Sequence, residues 1–167
     1  METKPRILES RTKIRFQDCD PFNHLNNARY MDYFINARED HLLEYYGFDI
    51  FRIIREQGLS WVVSSSQVAY LRPAMTMEEV VIETQLLHYS DRQLLVEVRM
   101  WNSDKTHLKA FAWLSFVHYN LRTGHAEKHG ETFLELFRAI VLPLKNTTFE
   151  ERHSELRPRS VKGYGTP

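Results

Sequence analysis

The chain has 167 residues, 43% of them hydrophobic and 26% charged, which suits one globular domain and is too short to suggest two. Its 22 Lys and Arg balance 22 Asp and Glu, so the formal net charge is zero; the basic excess that nucleic-acid binding requires is missing, while self-association is permitted. Aromatic residues reach 13%, enough to fill a sizeable core or an oligomer interface. Cys19 is the single cysteine, which excludes an intramolecular disulfide and a zinc site built on cysteines. Met1–Arg15 lacks the apolar stretch of a signal peptide, and no apolar run approaches the roughly 18 residues of a membrane span. A cytoplasmic, reducing location is the expectation.

The first predicted element is a short strand at Lys13–Gln17, with Ile14 and Phe16 on one face. Pro21 and an Asn-rich stretch interrupt it. A helix then starts near Asn26 or Asn27, where Asn is a favoured cap, and runs to Tyr46 before Gly47. Met31, Phe34, Ile35, Leu42 and Tyr46 recur at helical spacing, and Tyr30, Tyr33, Ala37 and Tyr45 broaden that face, so the helix is covered on more than one side. A short helix follows at Asp49–Gln57, ended by Gly58. Beyond Gly58 the period falls to two. Strands are predicted at Trp61–Leu71, Glu79–Tyr89, Leu94–Trp101 and Leu108–Leu121, with Asn102–Lys105 as a hairpin turn. A last amphipathic helix covers Glu131–Leu142. Residues 1–145 form the domain; residues 146–167 are polar and are expected to be a mobile tail. One strand, a long apolar helix and four hairpin-spaced strands define an α+β architecture: a curved antiparallel sheet of five strands wrapped around the helix, its other face covered by a partner subunit.

Asp18–Tyr30 holds the densest chemistry. Two carboxylates, an imidazole and three Asn side chains fall where a strand gives way to a helix. Helix N-termini attract developing negative charge through free N–H groups. A carboxylate beside such an end can attack a polarised carbonyl or deprotonate a water next to it. The same residue types are also ordinary capping and turn residues, and spacing alone does not separate the two uses.

Arg15–Tyr30 resembles the signature of the 4-hydroxybenzoyl-CoA thioesterase branch of hotdog-fold proteins, in outline Asp-x-Asp-x-x-Gly-His-x-Asn-Asn-x-x-Tyr. Asp18, Asp20, His24, Asn26, Asn27 and Tyr30 match it position by position. Tyr70–Ala74 through Thr84 resembles the family's second strand and following hairpin. The resemblance implies a dimer or tetramer with interfacial sites and an acyl-CoA or acyl-carrier-protein thioesterase that uses no cofactor and no metal. It gives Asp20 the catalytic carboxylate, as nucleophile or general base, and the Asn27 backbone N–H the thioester oxygen. It makes His24 a positioner of substrate or water, beside its plainer reading as a cap or interface residue. Asn23, Asn26, Tyr30, Gln67 and Arg72 are expected to meet substrate, Arg72 at the CoA phosphates beside its plainer reading as a scattered surface charge. The family's Gly is Asn23 here; Asn is the commonest substitute at positive φ, but its side chain is expected near the acyl entrance.

Other residues weigh less. Ser64–Ser66 lacks a nucleophile elbow. His118, His125 and His129 read as surface residues rather than metal ligands. Lys109 is a surface charge or a phosphate contact. Two rival functions stay open: a hotdog acyl dehydratase or hydratase using Glu39 and His41, and a non-catalytic acyl-thioester-binding protein.

Overall fold

The computed structural model describes residues 3–158. Strand β1 (Ile7–Lys13) leads through a one-turn 3-10 segment at Phe16–Asp18 and another at Asn27–Arg29 into helix α1 (Tyr30–Tyr46). Helix α2 (Ile50–Gln57) and strands β2 (Leu59–Tyr70), β3 (Glu79–Tyr89), β4 (Gln93–Asn102) and β5 (Leu108–Asn120) follow. The two-residue strand β6 (His125–Ala126), helix α3 (Glu131–Ile140) and helix α4 (Phe149–Leu156) complete the described chain. All pairings are antiparallel, in the order β1-β3-β4-β5-β2, with β6 added on β5. This is the hotdog architecture that the resemblance of Arg15–Tyr30 implied.

Alternation along the strands divides the apolar residues between two faces. Val80, Ile82 and Leu86 of β3, Val96, Val98 and Met100 of β4, and Ala110, Ala112 and Leu114 of β5 pack on Tyr30, Phe34 and Ala37 of α1. Small alanines on β5 let the sheet approach the helix closely. Each fully buried large apolar side chain here contributes about 1.5–3 kcal/mol relative to exposure.

The first strand lies earlier than Lys13–Gln17. Its inward positions are Leu8, Ser10 and Thr12, set opposite Thr84, Ile82 and Val80 of β3. Polar inward residues hide the alternation in the sequence. Ser10 is accommodated because its hydroxyl meets the His41 ring of α1 at 2.8 Å. Ile14 is fully buried just beyond the strand, whereas Phe16 is 75% exposed on the 3-10 turn.

Part of the polar tail, expected to be mobile, is ordered. Residues 149–156 are helical, started by a capping box in which Thr148 accepts from Glu151 N–H and the Glu151 carboxylate accepts in return from the Thr148 backbone. Phe149 stacks on Phe111 at 4.9 Å and meets Trp113 edge-on. Phe149, Leu156 and Leu144 thus cover the outer sheet face, formed by Ala69, Leu87, Leu108, Phe111 and Trp113. This chain, rather than a partner, buries those aromatics. Two large residues among polar ones suffice because the outer face offers them a fitted apolar patch. The expectation for 159–167 lies outside the described residues. Helix α3 ends two residues earlier than expected, because Leu142 N–H bonds to Leu86 C=O as the chain meets the β3 edge.

Candidate active site

The turn between β1 and α1 is held largely by its own side chains. Asp20 Oδ1 accepts from the backbone N–H of Phe22 (2.9 Å) and of His24 (3.1 Å). The Asp20 N–H donates to His24 C=O, and Cys19 bridges Leu25. No protein donor among the described residues meets Asp20 Oδ2. One oxygen therefore locks the loop while the other is left without a protein partner among the described residues.

Asn23 has φ 61°, the left-handed region that Asn tolerates better than most residues. Its carbonyl accepts from Thr76 N–H and Thr76 Oγ1, which ties the turn to the β2–β3 connection. Asp18 Oδ2 accepts from the Tyr33 hydroxyl at 2.7 Å, and the Tyr33 hydroxyl oxygen in turn accepts from Arg15 N–H at 2.9 Å. Desolvation, followed by the Asp18 contact, pushes the Tyr33 hydroxyl up to about 12, against relief from Arg15 N–H. Tyr33 therefore stays protonated and braces the turn against α1.

Asn26 caps the following turn, its Oδ1 accepting from Ala28 N–H at 2.9 Å. Asn27 occupies the first helical position, where a backbone N–H has no intrahelical acceptor. Tyr70 of β2 donates to Asn27 C=O at 3.0 Å and packs edge-on against Tyr30. Asp20, His24, Leu25, Asn27, Tyr30, Tyr70, Leu71, Arg72 and Pro73 line one open cleft of about 220 Å³.

Of the residues singled out in the sequence, Asp20, His24, Asn27, Tyr30 and Arg72 thus share a cleft. Tyr30 is almost fully buried, its hydroxyl accepting from Ala74 N–H, so only part of it reaches the wall. Asn23 and Asn26 lie on the same turn without lining the cleft, and Asn26 is occupied as a cap. Gln67 is exposed on β2 opposite Trp113 and is not brought into the cleft. Tyr70 escaped the sequence reading; its neighbours Leu71–Arg72–Pro73 marked the strand end, but nothing in the alternation singled out its hydroxyl.

The remaining candidates are accounted for elsewhere. Lys109 is paired with Glu78 at 2.8 Å and also donates to Pro73 C=O, whereas Arg72 has no acidic partner among the described residues. His41 is buried, with Nδ1 on Thr84 Oγ1 and Nε2 on Ser10 Oγ, both at 2.8 Å, so it offers no acid–base group to a ligand. His118 and His129 are buried rather than on the surface, and stack with Trp61. Their Nδ1 atoms lie against the Glu127 and Ser90 carbonyls, and Trp61 Nε1 donates to His129 Nε2. His125 is exposed on β6, and no group of three metal-ligating side chains converges among the described residues.

The antiparallel sheet wraps α1 in a hotdog fold, with a carboxylate turn at the helix start. The chain belongs to the thioesterase-like superfamily, whose family profile matches residues 14–153. It is 26% identical over 119 residues, 71% of this chain and 88% of the relative, to the long-chain acyl-CoA thioesterase FadM of Escherichia coli. Among solved structures it is similar to the DHNA-CoA thioesterase of Staphylococcus aureus (TM-score 0.71, 18% identity, 80% of this chain and 87% of that one). It is likewise similar to the probable thioesterase YbaW of Escherichia coli (TM-score 0.69, 24% identity, 81% and 99%). The protein is accordingly a thioester hydrolase. No helix among the described residues is long and apolar enough to cross a membrane.

Proposed function

We propose that this chain hydrolyses acyl-CoA thioesters, with Asp20 as the reacting carboxylate and the Asn27 backbone N–H polarising the carbonyl. The observation that carries this is the shared cleft: a carboxylate with one oxygen locked by two N–H groups and the other free, beside the first N–H of a helix. The helix end favours the oxyanion that forms when the carbonyl is attacked. Either Asp20 takes a proton from a water that adds its oxygen to the acyl carbon, or Asp20 displaces the thiolate to form an anhydride that water then opens at one of its two carbonyl carbons; in both the thiol leaves with a proton. His24 lines the same wall and positions water or the acyl carbonyl. Arg72, without an acidic partner, faces the phosphates of the CoA moiety. FadM, a long-chain acyl-CoA thioesterase, supports CoA as the thiol carrier over a carrier protein.

A second copy belongs to this reading. Strand β2 closes the sheet at one end, and Val62–Gln67 are exposed along it. A long uncovered edge is a template for pairing, and a partner strand there completes the wall next to the cleft.

The test is thiol release from a panel of acyl-CoAs by wild type and Asp20→Asn. Asn keeps the Oδ1 acceptor that holds the loop, so the variant folds, and kcat falls by about 10²–10⁴-fold. A folded Asp20→Asn protein with wild-type turnover sinks the assignment. A single turnover in ¹⁸O water, repeated with hydroxylamine, decides the mode: label in the Asp20 side chain or hydroxamate formed on Asp20 identifies an anhydride and hence the nucleophile, whereas label in the acid alone with no hydroxamate on Asp20 identifies the base.

A further inference from the structure

A second cavity, sharing no lining residue with the Asp20 cleft, lies between α1, α2, α3 and the inner sheet face. Its volume is about 190 Å³, and its walls are apolar, among them Leu42, Phe51, Ile54, Trp61, Phe116 and Ile140. The exceptions are Arg38, Glu39 and Ser60. Arg38 is 7% exposed and makes one hydrogen bond, Nη1 to Thr84 Oγ1 at 3.3 Å. No carboxylate among the described residues lies within ion-pair distance of it, Glu39 included. A buried guanidinium without an anion is rare, because its five donors and its charge both go unmatched. Desolvation holds Arg38 down to about 10, well below the ordinary Arg value, against a slight opposing pull from Tyr46.

We propose that this cavity binds a small carboxylate with an aliphatic body, the chain lying on the apolar walls and the carboxylate on Arg38. Charge selects the anion, since the guanidinium fork matches two carboxylate oxygens. The lining selects the body: a phosphate or a small polar anion would leave the wall of Leu, Ile, Phe and Trp side chains uncovered. Such a ligand has the chemical form of a free fatty acid, the class of product that thioester hydrolysis releases. The inference itself stands on Arg38 and its surroundings, independent of the assignment of Asp20.

Calorimetric titration of the full chain with octanoate, octanol and octylamine tests it. Octanoate is expected to saturate a single site, with octanol about tenfold weaker or worse and octylamine not binding, as expected when a hydrogen bond to a charged group is lost. Arg38→Met keeps the chain-binding wall and is expected to bind octanoate no better than octanol. Ile54→Trp, which fills the cavity and keeps Arg38, is expected to abolish binding and stands in if Arg38→Met fails to fold. Asp20→Asn is expected to bind octanoate as wild type does, which separates this site from the catalytic cleft. Equal affinity for octanoate and octanol in wild type, full octanoate binding by Arg38→Met or Ile54→Trp, or its loss in Asp20→Asn overturns the proposal.

Discussion

Arg152 of α4 holds both oxygens of Glu97 on β4, Nε to Oε2 at 2.9 Å and Nη2 to Oε1 at 2.7 Å. Glu97 is completely buried, and it also accepts from Trp113 Nε1 and Arg99. Arg99 continues the network to Glu83 and Gln85. Burial alone raises the Glu97 carboxyl, but Arg152, Trp113 and Arg99 together outweigh it and hold the group below the usual carboxylate range.

Arg152→Ala therefore leaves a buried carboxylate with Arg99 as its remaining cation. The expected loss is about 2–4 kcal/mol, somewhat under a fully orphaned buried ion. Urea denaturation measures it; a loss below that of an exposed ion pair would mean that α4 does not hold Glu97 in solution. The sign with pH follows from the depressed carboxyl. Its stabilisation is complete above the unfolded carboxylate range and is lost as pH falls through the folded value, so wild type and Arg152→Ala converge in acid.

Asn23 tests the turn that carries Asp20. Its φ of 61° suits Gly and, less well, Asn. Asn23→Gly is expected to change stability by less than about 0.5 kcal/mol and to keep turnover, because the side chain does not line the cleft. Asn23→Ala meets the left-handed penalty and is expected to cost about 1–2 kcal/mol. Thermal melts with parallel turnover assays check both; an Ala variant as stable as wild type would show that the turn is not held in this conformation.

His41 adds a pH dependence of its own. Desolvation first, then the Arg38 charge, pushes its ring from near 6.5 down to about 4, with Glu9 opposing. The folded state keeps the ring neutral while the unfolded chain protonates it. The stabilisation is thus complete above about 6.5 and is lost as pH falls towards 4. The ceiling on this effect is about 3 kcal/mol, from 1.36 kcal/mol per pKa step. His41→Asn, compared with wild type by urea denaturation at pH 7 and pH 5, is expected to flatten the slope. NMR titration of the ring reads it directly, and a ring that titrates near 6.5 would refute the buried setting.

The sequence carried most of the fold, and the reasons for its misses are local. Strands β3 to β5 were legible because both faces are covered and their alternation is apolar on the inner face. Strand β1 was not, since its inward Ser10 and Thr12 are polar and break the apolar alternation; the partner of Ser10, His41, lies 31 residues away. Helix α4 was missed because composition weighs Phe149 and Leu156 against many polar neighbours, although Thr148–Glu151 is a capping box readable in sequence. In the candidate site, the Asp18–Tyr30 turn was legible as a structural unit, being local. Tyr70 and Arg38 were not, because one acts across the β2–α1 contact and the other matters only once a cavity closes around it.

The uncovered β2 edge gives the last prediction. Val62 and Val63 are 41% and 45% exposed at the strand's middle, where the sheet has no further strand. If a second copy pairs there, Val62→Glu with Val63→Glu puts two like charges from each chain across one interface, since symmetric pairing opposes each residue to its own copy or near it. Sedimentation equilibrium is expected to give a dimer or larger assembly for wild type and a monomer for the double variant, with little change in the monomer's own core because neither valine belongs to it. If the partner's strand flanks the cleft as proposed, turnover falls with the assembly. A wild type that sediments as a monomer while fully active would place every required group within one chain and remove the partner from the proposed mechanism.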